Sequence, residues 1–374
     1  VPTPKLEGFF SSESTPDRVV SIRYEPEIVY FEQARGRQCL NFDFLLTNLT
    51  DRDIAIRFIK AAAYDKSGHL LTFRYVNRNA VGPSGLDTTC VLRIPAKETV
   101  DLYNPFVDFP CEPSIAELRY TFTFAESDGS REYYNGNVIV QPVVYEQQTP
   151  LQIPMRGLLT IIDGHDYLSH HRRFAMHLIR QVTQGAFSCN FSRYGLDFAV
   201  IGEDGNLAQM KPAEYEANRD FHFTDIRKSY TDGALVYAPA AGKVVEAVSN
   251  LADLYDSTFD TDLAIQEGRM HEIAGNRIII QHTETEFSHL LHLEQNSLLV
   301  SEGDSVQVGQ PVARIGFSGT ATVYSHLHYQ LMSGRDFLQS EALPVMFSDV
   351  ILVRGATHVH EETVSLETGD FLLA

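Results

Sequence analysis

The chain has 374 residues, with 49 acidic against 30 basic side chains and a formal net charge of -19. That balance argues against nucleic acid as the main partner, because phosphate binding needs basic patches and none occurs. No apolar run approaches the ~20 residues that a membrane-spanning helix needs. The four cysteines, Cys39, Cys90, Cys111 and Cys189, have neither CxxC spacing nor the density of a disulfide framework.

The first residue is Val1, and the stretch from Val1 to Pro16 is polar, Ser-rich and Pro-containing. It reads as the tail left behind a processed leader, so export to the periplasm, envelope or medium is expected.

From residue 17 to 148 the pattern is that of short strands. Val19 to Tyr24, Leu40 to Leu45, Ile54 to Ile59, Val91 to Ile94, Leu118 to Phe124 and Asn137 to Val140 alternate apolar and polar residues between Gly, Pro, Asn and Asp clusters. About 130 residues of this kind predict an immunoglobulin-like β-sandwich. Its polar residues fall at turn and solvent-face positions, and none forms a catalytic pattern. Cys90 and Cys111 are either a disulfide pair or two free thiols.

Residues 149–164, with Pro150 and Pro154, read as a linker. A histidine-rich piece follows, with His165, His170, His171 and His177, in which Arg173 to Gln181 suits a short helix. Tyr194 to Val200 reads as a strand, and Gly202 to Asp232 as an acidic, loop-like insertion. Strands then return at Ala234 to Pro239, Lys243 to Val245, Asn276 to Ile280, Phe287 to Leu293, Val312 to Ile315 and His326 to Leu331. Gly303-Asp304, Gly309-Gln310 and Gly316 to Gly319 mark hairpin turns. A second, mainly β domain over 165–345 is expected, with 346–374 as a C-terminal extension.

The residues that suggest chemistry are His326 and His328. Two apart in a strand, they share one face, where they could hold a metal or divide between metal binding and proton transfer. Alone, such a pair is weak. Around it stand Ala238-Pro239-Ala240-Ala241-Gly242-Lys243-Val244, the strand Gly275 to His282, His292-Leu293, the hairpin Gly303 to Ile315, the loop Gly316-Phe317-Ser318-Gly319, and Ser325-His326-Leu327-His328-Tyr329. In that order these blocks resemble the lysostaphin-like (LytM-type) zinc endopeptidases, which cut peptidoglycan peptides. The resemblance covers roughly Arg193 to Leu331 and implies an antiparallel lysostaphin-like β-domain.

The family's zinc is held by the His and Asp of an H-x-x-x-D segment and by the second His of H-x-H. The resemblance therefore assigns Asp197 and His328 as metal ligands and His292 and His326 as the catalytic pair. It puts Arg193 where the first histidine ligand should stand. A guanidinium has no lone pair for zinc, and a catalytic zinc normally keeps three protein ligands.

Three readings of Arg193 stay open. The domain has a weakened or lost metal site, with Arg193 paired to Asp197, and serves a binding or regulatory role at the cell envelope. Alternatively, an upstream histidine replaces the missing ligand and the enzyme is an active zinc endopeptidase, with His171 the preferred donor. Or the register is displaced and another residue completes the site. Arg193 to Phe198, following His171-Arg172-Arg173, is similar to a family subset with an R-F-A-x-D-W segment after a G-H-R-R piece. His289, three residues before His292, is expected on the other side of its strand and His282 in a supporting place. His358 and His360 are expected at the surface. Peptidoglycan peptides or a cell-envelope protein are the expected partners. No G-x-S-x-G, P-loop or H-E-x-x-H pattern competes.

Overall fold

The computed structural model describes residues 19–79, 85–89, 93–209, 226–320 and 324–374. The tail before Pro16, Cys90 with its possible pairing to Cys111, and the middle of the acidic insertion lie outside the described residues. The chain divides into two compact units at Val144/Tyr145.

The first unit is built of β-strands in three sheets. One has the order Val20–Glu25, Asp43–Asn48, Thr99–Tyr103. A second runs Glu132–Val140, Glu117–Glu126, Ile54–Tyr64, Leu70–Asn77, with Arg93–Ile94 also pairing Ile54–Tyr64. The period-two pattern of Glu117–Glu126 has a physical outcome. Leu118, Tyr120, Phe122 and Phe124 are fully buried, while their neighbours up to Thr123 are half-buried. Phe44 of the first sheet and Phe42 just before its strand meet Tyr120 edge-on at 4.9 and 5.8 Å, and Phe44 meets Phe122 at 5.2 Å. An aromatic core thus lies between the faces of these two sheets. The third sheet has the order Val143–Val144, Tyr30–Ala34, Arg37–Leu40, Asp108–Pro110.

The second unit is organised by an eleven-stranded sheet. Its central strands are Asn276–Gln281, Phe287–Leu293, Leu327–Met332 and Leu196–Val200, each antiparallel to the next. Leu235–Tyr237 and Pro311–Arg314 form a separate two-stranded antiparallel sheet. The segment expected as linker ends in a strand of the large sheet, since Leu158–Asp163 pairs with Leu196–Val200. Leu151 and Met155 before it are fully buried. The expected extension contributes strands too. Phe371–Leu373 joins Leu158–Asp163 to Phe347–Arg354, which pairs with Thr357–Val364. Apolar burial explains both corrections, because Leu159, Ile161, Val350, Leu352 and Leu372 complete the core of this unit.

One irregularity positions the site. Asn276 pairs with Leu293 but Ile278 with Leu290, so Phe287–Leu293 carries one extra residue at this place. This is a β-bulge, and His292 takes a left-handed φ of 61° within it. Leu291 faces His328 across the strand pair and His289 faces Gln330. Strict alternation would send His292 to the opposite face from these. The bulge turns it back to theirs. His289 therefore lies on the same face as His328, against expectation, because the three-residue spacing to His292 contains the bulge.

Candidate metal centre

Asp197 is the centre of the constellation. It pairs in register with His328 on one neighbouring strand and with Asp163 on the other, so all three point to one face. Its Oδ1 lies 2.9 Å from His328 Nδ1, 3.4 Å from His326 Nε2 and 3.4 Å from His171 Nε2. All four groups are buried. Burial alone would push the Asp197 carboxyl up, but the imidazoles of His171, His326 and His328 outweigh it and hold the group well below the ordinary carboxylate range. These neighbours favour the carboxylate form of Asp197.

Each imidazole has one nitrogen committed elsewhere. His171 Nδ1 lies 3.0 Å from the Gly164 carbonyl, His292 Nδ1 2.9 Å from the Ser318 carbonyl, and His326 Nδ1 2.9 Å from the Tyr324 carbonyl. A carbonyl only accepts, so each Nδ1 donates and each Nε2 keeps its lone pair. For His328 the roles reverse. Gln330 turns its amide nitrogen to Met332 Sδ at 2.9 Å, and its Oε1 accepts from His328 Nε2 at 3.0 Å. Nδ1 is then the nitrogen that faces Asp197. Burial holds His171 down to about 4, and burial with the neighbouring His326 and His328 holds His292 well below the ordinary range. Both are neutral at pH 7, the form that ligates a metal.

Local structure explains these anchors. The Gly316-Phe317-Ser318-Gly319 loop is pinned by Ser318 Oγ, which accepts from the Asn276 amide at 2.8 Å and donates to the Leu293 carbonyl at 2.8 Å. A Cβ on Gly275 would stand 2.5 Å from the Ser318 carbonyl oxygen, so only glycine permits this approach. Asn190 Nδ2 donates to the His171 carbonyl at 2.9 Å, tying the histidine-rich segment to the turn before Asp197. Gly195 leaves room for the His328 ring, whose Cε1 a Cβ there would meet at 2.9 Å.

Of the residues singled out from sequence, Asp197, His292, His326 and His328 meet in one cavity of about 260 Å³, and His171 joins them. The rings of His171 and His328 stand edge-on at 4.7 Å, and those of His292 and His326 at 5.1 Å. Arg193 is buried in the turn that precedes Asp197, where its amide donates to the Asn190 carbonyl at 3.2 Å. His177 lies on the helix Met176–Val182 and does not line the cavity. His282 bonds Ser288, which bonds Tyr329 on the opposite face. His289 donates from Nε2 to the Gly334 carbonyl at 2.9 Å. His358 and His360 are exposed on Thr357–Val364.

Sequence reasoning missed Asp163, which lines the cavity together with His170 of the upstream histidine cluster, and Gln330. Gln330 had a signal, because 326, 328 and 330 continue one face of a strand. Asp163 had none while its segment read as linker.

Residues 224–340 match the model of Peptidase family M23. That span contains His292, His326 and His328 but not His171, Arg193 or Asp197. Over 64 residues, 17% of this chain, the sequence is 41% identical to the peptidoglycan DD-endopeptidase ShyA of Vibrio cholerae serotype O1, and the match spans 14% of that relative's length. Among solved structures, the M23 metalloprotease pseudoalterin from the deep sea aligns at 12% identity with a TM-score of 0.29, over 57% of this chain and 96% of that one. The catalytic domain of lysostaphin from Staphylococcus simulans aligns at 21% identity with a TM-score of 0.21, over 32% and 80%.

Proposed function

We propose that this chain, whose residues 224–340 match the M23 family model, is a zinc-dependent endopeptidase acting on peptidoglycan peptides, with His171 as the ligand that replaces the family's first histidine. The observation that carries the reading is the set of lone pairs around Asp197. His171 Nε2 and His328 Nδ1 face its Oδ1, and each ring's other nitrogen points to a fixed acceptor. Two imidazoles and one carboxylate make a donor set that suits zinc, and anchored second nitrogens are the usual support of such ligands. Zinc bound there supplies Lewis-acid polarisation of a peptide carbonyl and of water.

The chain's own residues supply the rest. His292 and His326 keep Nε2 lone pairs facing the cavity, so either can take a proton from the attacking water. Once protonated, the same nitrogen can donate to the oxyanion or to the leaving amine. Their carbonyl anchors, Ser318 and Tyr324, prevent the rings from flipping during that exchange. Phe174, Phe191, Ile273 and Leu291 form the apolar part of the wall, which strengthens these polar contacts by excluding water. A peptidoglycan substrate places the protein at the cell envelope.

The test is zinc content after expression and dialysis, followed by hydrolysis of cross-linked peptidoglycan peptides. One tightly held zinc per chain and cleavage abolished by His326→Ala is the expected result. A folded protein that takes up no zinc would return the domain to the binding or regulatory reading.

A further inference from the structure

Asp163 and His170 remain unused by this mechanism. Asp163 stands beside Asp197 across the strand pair, and its carboxylate contacts His170 Nδ1. It also accepts from the His170 amide at 3.3 Å and lies 3.8 Å from His171 Nδ1. One ligand atom from each of Asp163, His170, His171 and Asp197 can be chosen so that all four lie within 4.8 Å of one another. His292, His326 and His328 form a separate group of the same kind. The zinc set proposed above takes His171 and Asp197 from one group and His328 from the other. Two donors on the far side of Asp197 are thereby left over, both lining the cavity.

We propose that Asp163 and His170 form a second, weaker site for a divalent transition metal such as zinc, sharing the Asp197 carboxylate with the first. A carboxylate has two oxygens and about four lone-pair positions, so Asp197 can serve both ions. The second ion would have two protein donors of its own, one carboxylate and one imidazole, a donor class that zinc accepts. The His170 ring is largely exposed while Asp163 is half-buried. This leaves the ion's remaining positions open toward the cavity, where a carboxylate or peptide carbonyl of a substrate fits them. The weaker affinity follows from the smaller donor count and from repulsion by the neighbouring ion.

This inference rests on the zinc reading of Asp197 and His328, and one experiment separates the two. Zinc is titrated calorimetrically into chelator-stripped full-length protein at pH 7.5, with the wild type, His170→Asn and Asp163→Asn compared. Two ions per wild-type chain, one tight and one at least about 10-fold weaker, with only the weak one lost in His170→Asn, are expected. Asp163→Asn gives the same loss through the other donor, so the outcome does not depend on one variant folding. A single ion in the wild type overturns the second site and leaves the proposed function intact. No ion in the wild type overturns both, and two ions in both variants overturn the assignment of these residues.

Discussion

Replacing His171 by alanine removes one of three protein donors from the proposed zinc set and leaves Asp197 and His328. Changes to groups that merely orient a ligand already alter metal affinity by ~10–100-fold. Loss of the ligand itself is expected to weaken zinc binding by at least about 100-fold, or roughly 2.8 kcal/mol at 1.4 kcal/mol per decade. The decisive comparison adds Arg193→His. If His171 is the third ligand, a histidine at 193 has no vacancy to fill. Zinc affinity of that single variant then stays within about 10-fold of wild type, less than a first ligand would bring. If the site instead lacks a ligand at 193, Arg193→His raises affinity and restores His171→Ala. Competition with a chromophoric chelator, on variants shown to be folded by circular dichroism, reads all four members of the cycle. Unchanged affinity in His171→Ala, or rescue of it by Arg193→His, would refute the assignment.

Gln330→Leu removes the acceptor for His328 Nε2–H and frees the ring to carry its proton on Nδ1, so zinc affinity should fall ~10–100-fold. Gln330→Glu keeps an acceptor at that place and should retain it, and loss in both variants would mean a packing role only. Gly275→Ala puts a Cβ 2.5 Å from the Ser318 carbonyl at a φ of 64°, and urea melts should show at least ~2 kcal/mol of destabilisation. His289 is buried beside Gly334, and burial holds it down to about 4. The unfolded chain binds its proton below ~6.5, so stability present above that pH is lost as the pH falls toward 4. Between pH 7 and pH 5 this amounts to about 2 kcal/mol. His289→Gln should flatten the pH slope of urea melts by that amount, and an unaltered slope would show that the group titrates normally in the fold.

The strand identity of the site was legible because strands announce themselves by alternation. The H-x-H pair, the turn at Ala241-Gly242 and the Gly316-to-Gly319 loop all lie in segments whose period or glycines dictate local conformation. Three features were not legible, each for a physical reason. The bulge in Phe287–Leu293 is a mismatch between two strands and leaves no mark in either alone. The strands at Leu158–Asp163 and Phe347–Leu373 belong to the large sheet through pairing distant in sequence, for example Leu159 with Leu372. Prolines at 150 and 154 disguised the first of these. Finally, the choice among His170, His171 and His177 depends on a turn in which Asn190 holds the His171 backbone, a contact 19 residues away.

Arg193 shows how far motif position and chemical role can separate. A ligand need not come from the strand that carries its partner Asp197, because a metal reads only donor atoms and their directions. The turn at 190–195 brings the His171 segment against Asp197, while the Gly164 carbonyl fixes which nitrogen looks inward. In the proposed site, the donor that a histidine at 193 would have supplied comes from His171, 22 positions earlier. The same logic explains the buried bulge at His292. A regular strand would have paired His289 and Leu291 with the site and sent His292 away, so one extra residue converts an outward imidazole into an inward one. The geometry of the proposed site thus rests on two departures from regular β-structure, a bulge that turns in the catalytic His292 and a turn that holds the ligand His171. Substitutions that disrupt the turn should lower metal affinity, and those that regularise the bulge should lower kcat, before either lowers stability.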